Sequence, residues 1–252
     1  MIHRRHSPGT DELEPLSSNN NSMDIKDLIQ VAGIIDQAEA ELLMKSGVRY
    51  LGFPLRLPLH HADLSEHEAA TIIRNLRPPN RAVLITYLNQ AGEIIEFCHS
   101  LGASIVQLHG EIDPSELRSI KERQRRLAII KSLVIGLHPI EQLLDLVQRT
   151  ALYVDAYITD TFDPKTGACG ATGKTHDWRV SRQLVRHSPR PVILAGGLTP
   201  GNVRAAILAV RPAGVDAHTG LEDVSGRKSQ EKVKQFVSEA QEAFRVIREA
   251  AG

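Results

Sequence analysis

A strict alternation of short apolar runs and amphipathic stretches predicts that this 252-residue chain folds as an α/β protein, a closed (β/α)8 (TIM) barrel. Three observations carry the prediction. First, eight apolar runs follow Met23: Leu28–Val31, Tyr50–Leu55, Ala82–Tyr87, Ile105–Leu108, Leu127–Ile135, Tyr157–Thr159, Val192–Ala195 and Gly214–Val215. Second, the runs are short and β-branched-rich without strict alternation, as expected for strands buried on both faces of a parallel sheet. Third, no dinucleotide-type glycine turn follows Val31, where an open doubly wound sheet would need one.

The intervening stretches read as helices. Asp36–Ser46 puts Ala38, Leu42 and Leu43 on one face. Ser65 and Glu68 have the spacing of a capping box at the start of a helix running to Leu76. Asp113-Pro114 reads as an N-cap followed by proline at the first helical position. Thr199-Pro200 suggests the same device before Asn202–Val210. The last helix, Gln230–Ala250, carries Val233, Phe236, Val237 and Ala240 at helical spacing, and Cys98 falls in a helical pattern as a core thiol. Residues 23–252 therefore form one domain. Residues 1–22 are polar and aperiodic and read as a disordered tail, with Met23 an alternative start.

Composition narrows the class of function. Lys plus Arg and Asp plus Glu number 30 each, so the balance is neutral and does not suggest a nucleic-acid surface. A small anionic ligand needs only a local patch. Cys98 and Cys169 are too few and too far apart for a disulfide framework or a zinc site, and they suit a reducing compartment. No apolar run approaches the roughly 18 residues of a membrane span, and there is no apolar signal core at the N-terminus. The expectation is a cytoplasmic protein without nucleic-acid or membrane partners.

In a barrel the active site is assembled at the C-terminal ends of the strands. The seventh run ends in Gly196-Gly197, followed by a helix, a candidate phosphate site because glycine admits a ligand close to the backbone. After the eighth run, Thr219 and Gly220 are placed to complete that grip, beside Asp216 and His218, where His218 reads equally well as a satisfied loop or core histidine. Asp160 follows the sixth run directly, where a general base would stand. Gln107, in the fourth run, needs a partner in an apolar wall, so it faces either the ligand or an internal polar layer.

Five segments together resemble phosphoribosylanthranilate isomerase. They are Val106-Gln107-Leu108-His109-Gly110, Thr159-Asp160-Thr161, Gly173 to Trp178, Ala195 to Val203, and Gly214-Val215-Asp216 with Gly220, in family order over roughly Asp24 to Phe244. The resemblance implies an Amadori rearrangement that needs no metal or organic cofactor. It implies Asp160 as the acid and Gly196, Gly197 and Gly220 as the phosphate cradle. The chain departs from the family at three places. Ala32 occupies the position of the family's basic cysteine, and alanine cannot transfer a proton. The loop from Pro54 to His61 lacks an aligned arginine, and His218-Thr219-Gly220 replaces a Ser-Ser-Gly. Arg56, His60 and His61 on that loop, and Cys169 after the sixth run, are the polar groups nearest the altered end. His60, His61 and Cys169 are candidate surrogate acid/base groups, and Gln107, Arg56, Asp216 and His218 candidate substrate contacts.

These features predict an isomerase of a small phosphorylated substrate, acting as a monomer or homodimer. Ala32 keeps open a barrel with a different reaction, of lyase or condensing type, or a non-catalytic sugar-phosphate binder.

Overall fold

A computed structural model describes residues 23, 25–58, 64–165, 168–169 and 173–250; at 163, 168 and 169 it describes the backbone alone. Residues 1–22, His60 and His61 lie outside the described residues, as does the Cys169 side chain.

The barrel strands are β1 (Leu28–Ala32), β2 (Tyr50–Pro54), β3 (Arg81–Thr86), β4 (Ile105–Leu108), β5 (Ala128–Ile135), β6 (Ala156–Asp163), β8 (Val192–Leu194) and β9 (Gly214–Ala217). The two-residue β7 (Ala168–Cys169) pairs antiparallel with the end of β6. All the other pairings are parallel. They run in chain order from β1 to β6, then β8 and β9, and β9 pairs back with β1. The ring is therefore closed, as the eight apolar runs predict.

Eight α-helices surround it among the described residues: α1 (Gln37–Lys45), α2 (Glu66–Asn75), α3 (Ala91–Leu101), α4 (Pro114–Arg123), α5 (Ile140–Thr150), α6 (Trp178–His187), α7 (Val203–Val210) and α8 (Gln230–Glu249). The Ser65–Glu68 capping box forms, and Asp113 caps α4 with Pro114 in its first turn. The Thr199 expectation is corrected. Asn202 is the N-cap of α7, and its side chain instead braces the preceding turn, accepting from Thr199 N at 2.8 Å and donating to Gly197 O at 3.0 Å.

Strand parity divides the core in two. One set of side chains, including Val31, Leu51, Leu84 and Val106, packs outward against the helices. The other, including Leu28, Tyr50, Ile85, Ile130, Ile158 and Ile193, fills the barrel itself. Each such buried aliphatic contributes about 1.5–3 kcal/mol relative to its exposed state. The inward parity of β1 continues from Leu28 through Gln30 to Ala32, and that of β4 from Ile105 to Gln107. The apolar filling thus gives way to polar groups toward the C-terminal mouth.

Candidate active site

Asp160 stands inside β6, which runs four residues past the predicted end of its apolar run. Its side chain is 15% exposed. His109, one parity step beyond Gln107, faces it with Nε2 3.5 Å from Oδ2. The other nitrogen of His109 is 2.9 Å from Ser132 Oγ, and the Tyr87 ring lies against the imidazole with centroids 5.0 Å apart. The Thr161 N–H donates to Asp160 Oδ1 at 2.7 Å. Burial raises the pKa of Asp160, and the nearby His109 and the Thr161 N–H oppose that rise. A carboxyl in this setting can carry a proton that it would lose in water.

A second carboxyl lies in the layer beneath. Asp216 is opposite Gln30 in the β1–β9 register and is 8% exposed. Burial holds its pKa well above the usual carboxylate range, and Asp160 reinforces the effect, because two neighbouring carboxylates resist ionising together. Gln30 donates from Nε2 to Gln107 Oε1 at 3.0 Å. Asp216 Oδ1 and Gln30 Oε1 are both buried acceptors without a hydrogen-bond partner. A proton on Asp216 adds a hydroxyl donor to a layer whose other donors are the amide groups of Gln30 and Gln107.

Three loops converge beside this pair. A Cβ on Gly196 would come within 2.3 Å of Thr161 Oγ1 and 2.9 Å of His176 Nδ1, and one on Gly197 within 2.4 Å of the Lys174 carbonyl carbon. A Cβ on Gly220 would lie 2.0 Å from Leu198 O. Gly196 and Gly197 also have φ of 99° and 62°, where side chains are strained. Glycine is thus required at all three positions, and the backbones after β6, β8 and β9 meet at contact distance. His176 locks the β6 loop by bonding Thr161 Oγ1 at 2.9 Å and Ser181 Oγ at 2.6 Å. Burial lowers its pKa to about 4, so this clamp is neutral near pH 7.

Where β9 ends beside β1, His218 covers Gly33. A Cβ there would meet the ring at 2.0 Å from Nε2. His218 Nε2 is 3.3 Å from Glu222 Oε1. The same carboxylate oxygen accepts from Lys228 Nζ at 2.8 Å, and that ammonium, whose side chain is 0% exposed, also donates to Gly33 O at 3.1 Å.

The sequence profile of N-(5'-phosphoribosyl)anthranilate (PRA) isomerase matches residues 29–239. The chain is 38% identical over 223 residues to N-(5'-phosphoribosyl)anthranilate isomerase 2 of Methanosarcina mazei, spanning 87% of this chain and 96% of that one. This chain belongs to the PRA isomerase family. The crystal structure of the Thermotoga maritima phosphoribosyl anthranilate isomerase superposes with a TM-score of 0.72 at 27% identity, covering 86% of this chain and 99% of that one. Another isomerase structure, in complex with reduced 1-(o-carboxyphenylamino)-1-deoxyribulose 5-phosphate, superposes at 0.70 with 25% identity, covering 86% and 99%.

Within this isomerase fold the predicted site residues separate. Asp160, Asp216 and His218 gather at or just below the mouth, and Gly196, Gly197, Thr219 and Gly220 meet at its rim. Gln107 belongs to the internal polar layer, 3% exposed and occupied by Gln30, so the ligand-facing alternative is set aside. Arg56 is also corrected. It pairs with Glu66 through Nε at 2.8 Å and stacks at 3.7 Å on the Phe97 ring of α3, which holds its guanidinium in the helical layer. Cys98 is buried on α3, its thiol pushed up to about 12 by burial.

His109, His176, Glu222 and Lys228 make contacts around the site that the sequence reading left unassigned. Parity along β4 was a usable signal for His109. No local pattern marks Lys228, because its contacts to Gly33 and Glu39 span nearly the whole chain. Among the described residues, no group of three or more His, Cys, Asp or Glu is arranged to hold a metal ion, and no helix is long and apolar enough to cross a membrane.

Proposed function

We propose that this barrel catalyses the Amadori-type isomerisation of an N-linked phosphoribosyl amine, phosphoribosylanthranilate in the first instance, in the cytoplasm as a monomer or homodimer. The observation that carries this reading is the largely enclosed Asp160 carboxyl, facing His109 and standing beside a rim that only glycines can form. Asp160 serves as the general acid that protonates the furanose ring oxygen. His109 fixes its orientation and favours the return of the proton-free form. Gly196, Gly197, Thr219 and Gly220 cradle the phosphate, since Cβ-free backbone admits its oxygens close to main-chain N–H groups. The relative bound to a reduced deoxyribulose phosphate supports the substrate class.

The test follows the fluorescence decay of freshly made phosphoribosylanthranilate. Turnover by the native protein that falls by about 10²–10⁴-fold in Asp160→Asn supports the assignment. A native rate equal to that of Asp160→Asn would reject it. Ala32 is the observation that favours a second reading, a lyase- or condensing-type barrel or a sugar-phosphate binder. That reading expects no turnover, yet a melting temperature raised by ribose 5-phosphate.

A further inference from the structure

We propose that Lys228 is a positioning residue for the phosphate grip: its buried ammonium ties the loop that carries Thr219 and Gly220 to the end of β1. The inference rests on the isomerase reading above and identifies what holds one side of its phosphate cradle in place.

The loop after β9 needs a tether. Thr219–Leu221 forms a single 3-10 turn that ends at Glu222. Beyond Glu222 the chain swings out into solvent: Val224 is fully exposed, and a Cβ on Gly226 would meet nothing within 4 Å. The chain comes back at Lys228, which bridges antiparallel to Glu222. An excursion with so few packed contacts is held mainly at its base. On the β8 side, Gly220 rests directly against Leu198 O. On the β1 side, the tie runs through Lys228.

That lysine joins three segments. Nζ donates to Glu222 Oε1 at 2.8 Å and to Gly33 O at 3.1 Å, and its main-chain N–H donates to Glu39 Oε1 at 2.7 Å. Glu39 is buried on α1, and its other oxygen accepts from the Ile35 N–H at 3.1 Å. One residue thus binds the turn after β9 to both ends of the segment 33–35 that follows β1. Two contacts from the start of α8 reinforce the turn: Ser229 N donates to Leu221 O at 2.8 Å, and Lys232 Nζ donates to Glu222 O at 2.5 Å. These hold the turn to α8, whereas Lys228 carries it across to β1.

Burying an ammonium is costly unless it is paired and hydrogen-bonded, so a lysine enclosed in this way fixes its partners firmly. Its side chain is wholly enclosed and does not reach the substrate. Its effect passes through Glu222 to Gly220, two residues earlier in the chain. A turn released from β1 would present Thr219 and Gly220 at the wrong separation from Gly196 and Gly197. The main-chain N–H groups of the cradle would then no longer converge on one phosphate. The loss falls on binding of the phosphorylated substrate and leaves proton transfer by Asp160 in place. Lys228 also lies near enough to Asp216 to oppose the rise in that carboxyl's pKa, so an action on the chemistry instead of the phosphate would be visible in kcat.

The experiment compares native protein, Lys228→Met, Glu222→Ala and Glu222→Gln. Its readouts are turnover of phosphoribosylanthranilate and the rise in melting temperature given by inorganic phosphate. Lys228→Met and Glu222→Ala are each expected to raise KM by about tenfold or more, to remove most of the phosphate-induced rise in melting temperature, and to leave kcat within about threefold of native. Glu222→Gln, which keeps an acceptor for Nζ, is expected to hold KM within about threefold of native. Glu222→Ala alters a partly exposed side chain and reads the same tether if Lys228→Met does not fold. A native KM in Lys228→Met or in Glu222→Ala, a loss confined to kcat, or a Glu222→Gln as impaired as Glu222→Ala overturns the role of Lys228 while leaving the isomerase reading intact. A native protein no faster than Asp160→Asn overturns the isomerase reading, and the phosphate-induced shift then decides by itself whether Lys228 holds the cradle.

Discussion

Replacing Lys131 with methionine should stabilise the protein at neutral pH. Lys131 lies on β5 with its side chain between barrel and helices, 4% exposed, and Nζ donates to Ser132 O at 2.9 Å. Burial lowers its pKa from 10.5 to about 8, only weakly opposed by Glu111. The sign follows from linkage. A folded pKa below the unfolded one means that the unfolded chain binds the proton more tightly, so protonation favours unfolding. The stability attached to the neutral amine is complete above about pH 10.5 and is lost as pH falls through about 8. At pH 7 the whole penalty is present. At about 1.4 kcal/mol per pKa unit it amounts to roughly 3 kcal/mol, and losing the bond to Ser132 O gives back about 1 kcal/mol. Lys131→Met, similar in length and apolar, should therefore gain about 2 kcal/mol, or about 4–8 °C in melting temperature for a chain of this size. The assay is thermal unfolding of both proteins at intervals from pH 7 to pH 10.5. The gain should shrink steadily as the native lysine loses its proton. A methionine variant less stable at pH 7, or a gain that does not change with pH, would refute the reasoning.

Two further outcomes follow from the loops. His176, with its pKa lowered to about 4 by burial, contributes stability that is complete above about pH 6.5 and lost as pH falls through about 4. Native protein should lose up to about 3 kcal/mol over that window relative to His176→Gln, read from urea midpoints, and parallel pH profiles would contradict this. Gly220→Ala puts a Cβ where Leu198 O now lies 2.0 Å away, so the β8 and β9 loops must separate. KM should rise more than tenfold, and the rise in melting temperature given by inorganic phosphate should vanish; a variant that keeps both would remove Gly220 from the cradle.

Sequence pattern by itself determined the barrel, because burial on both faces forces apolar, β-branched runs whose number and spacing can be counted along the chain. It also determined that the paired glycines follow a strand, since Gly-Gly that ends an apolar run is visible locally, whereas Asp160, expected just after its strand, lies within β6, which continues to Asp163. The capping box at Ser65 and the Asp113 cap are equally local, and both formed. What sequence could not reach is set by contacts between distant strands. Gln107 satisfies Gln30 across 77 residues, and Lys228 reaches Gly33 across 195. Arg56 looked free for a ligand until tertiary packing gave it Glu66 and Phe97. Ala32 reads as a lost function along the chain. Only closure of the ring, which pairs β1 with β9, brings His218 over the neighbouring Gly33.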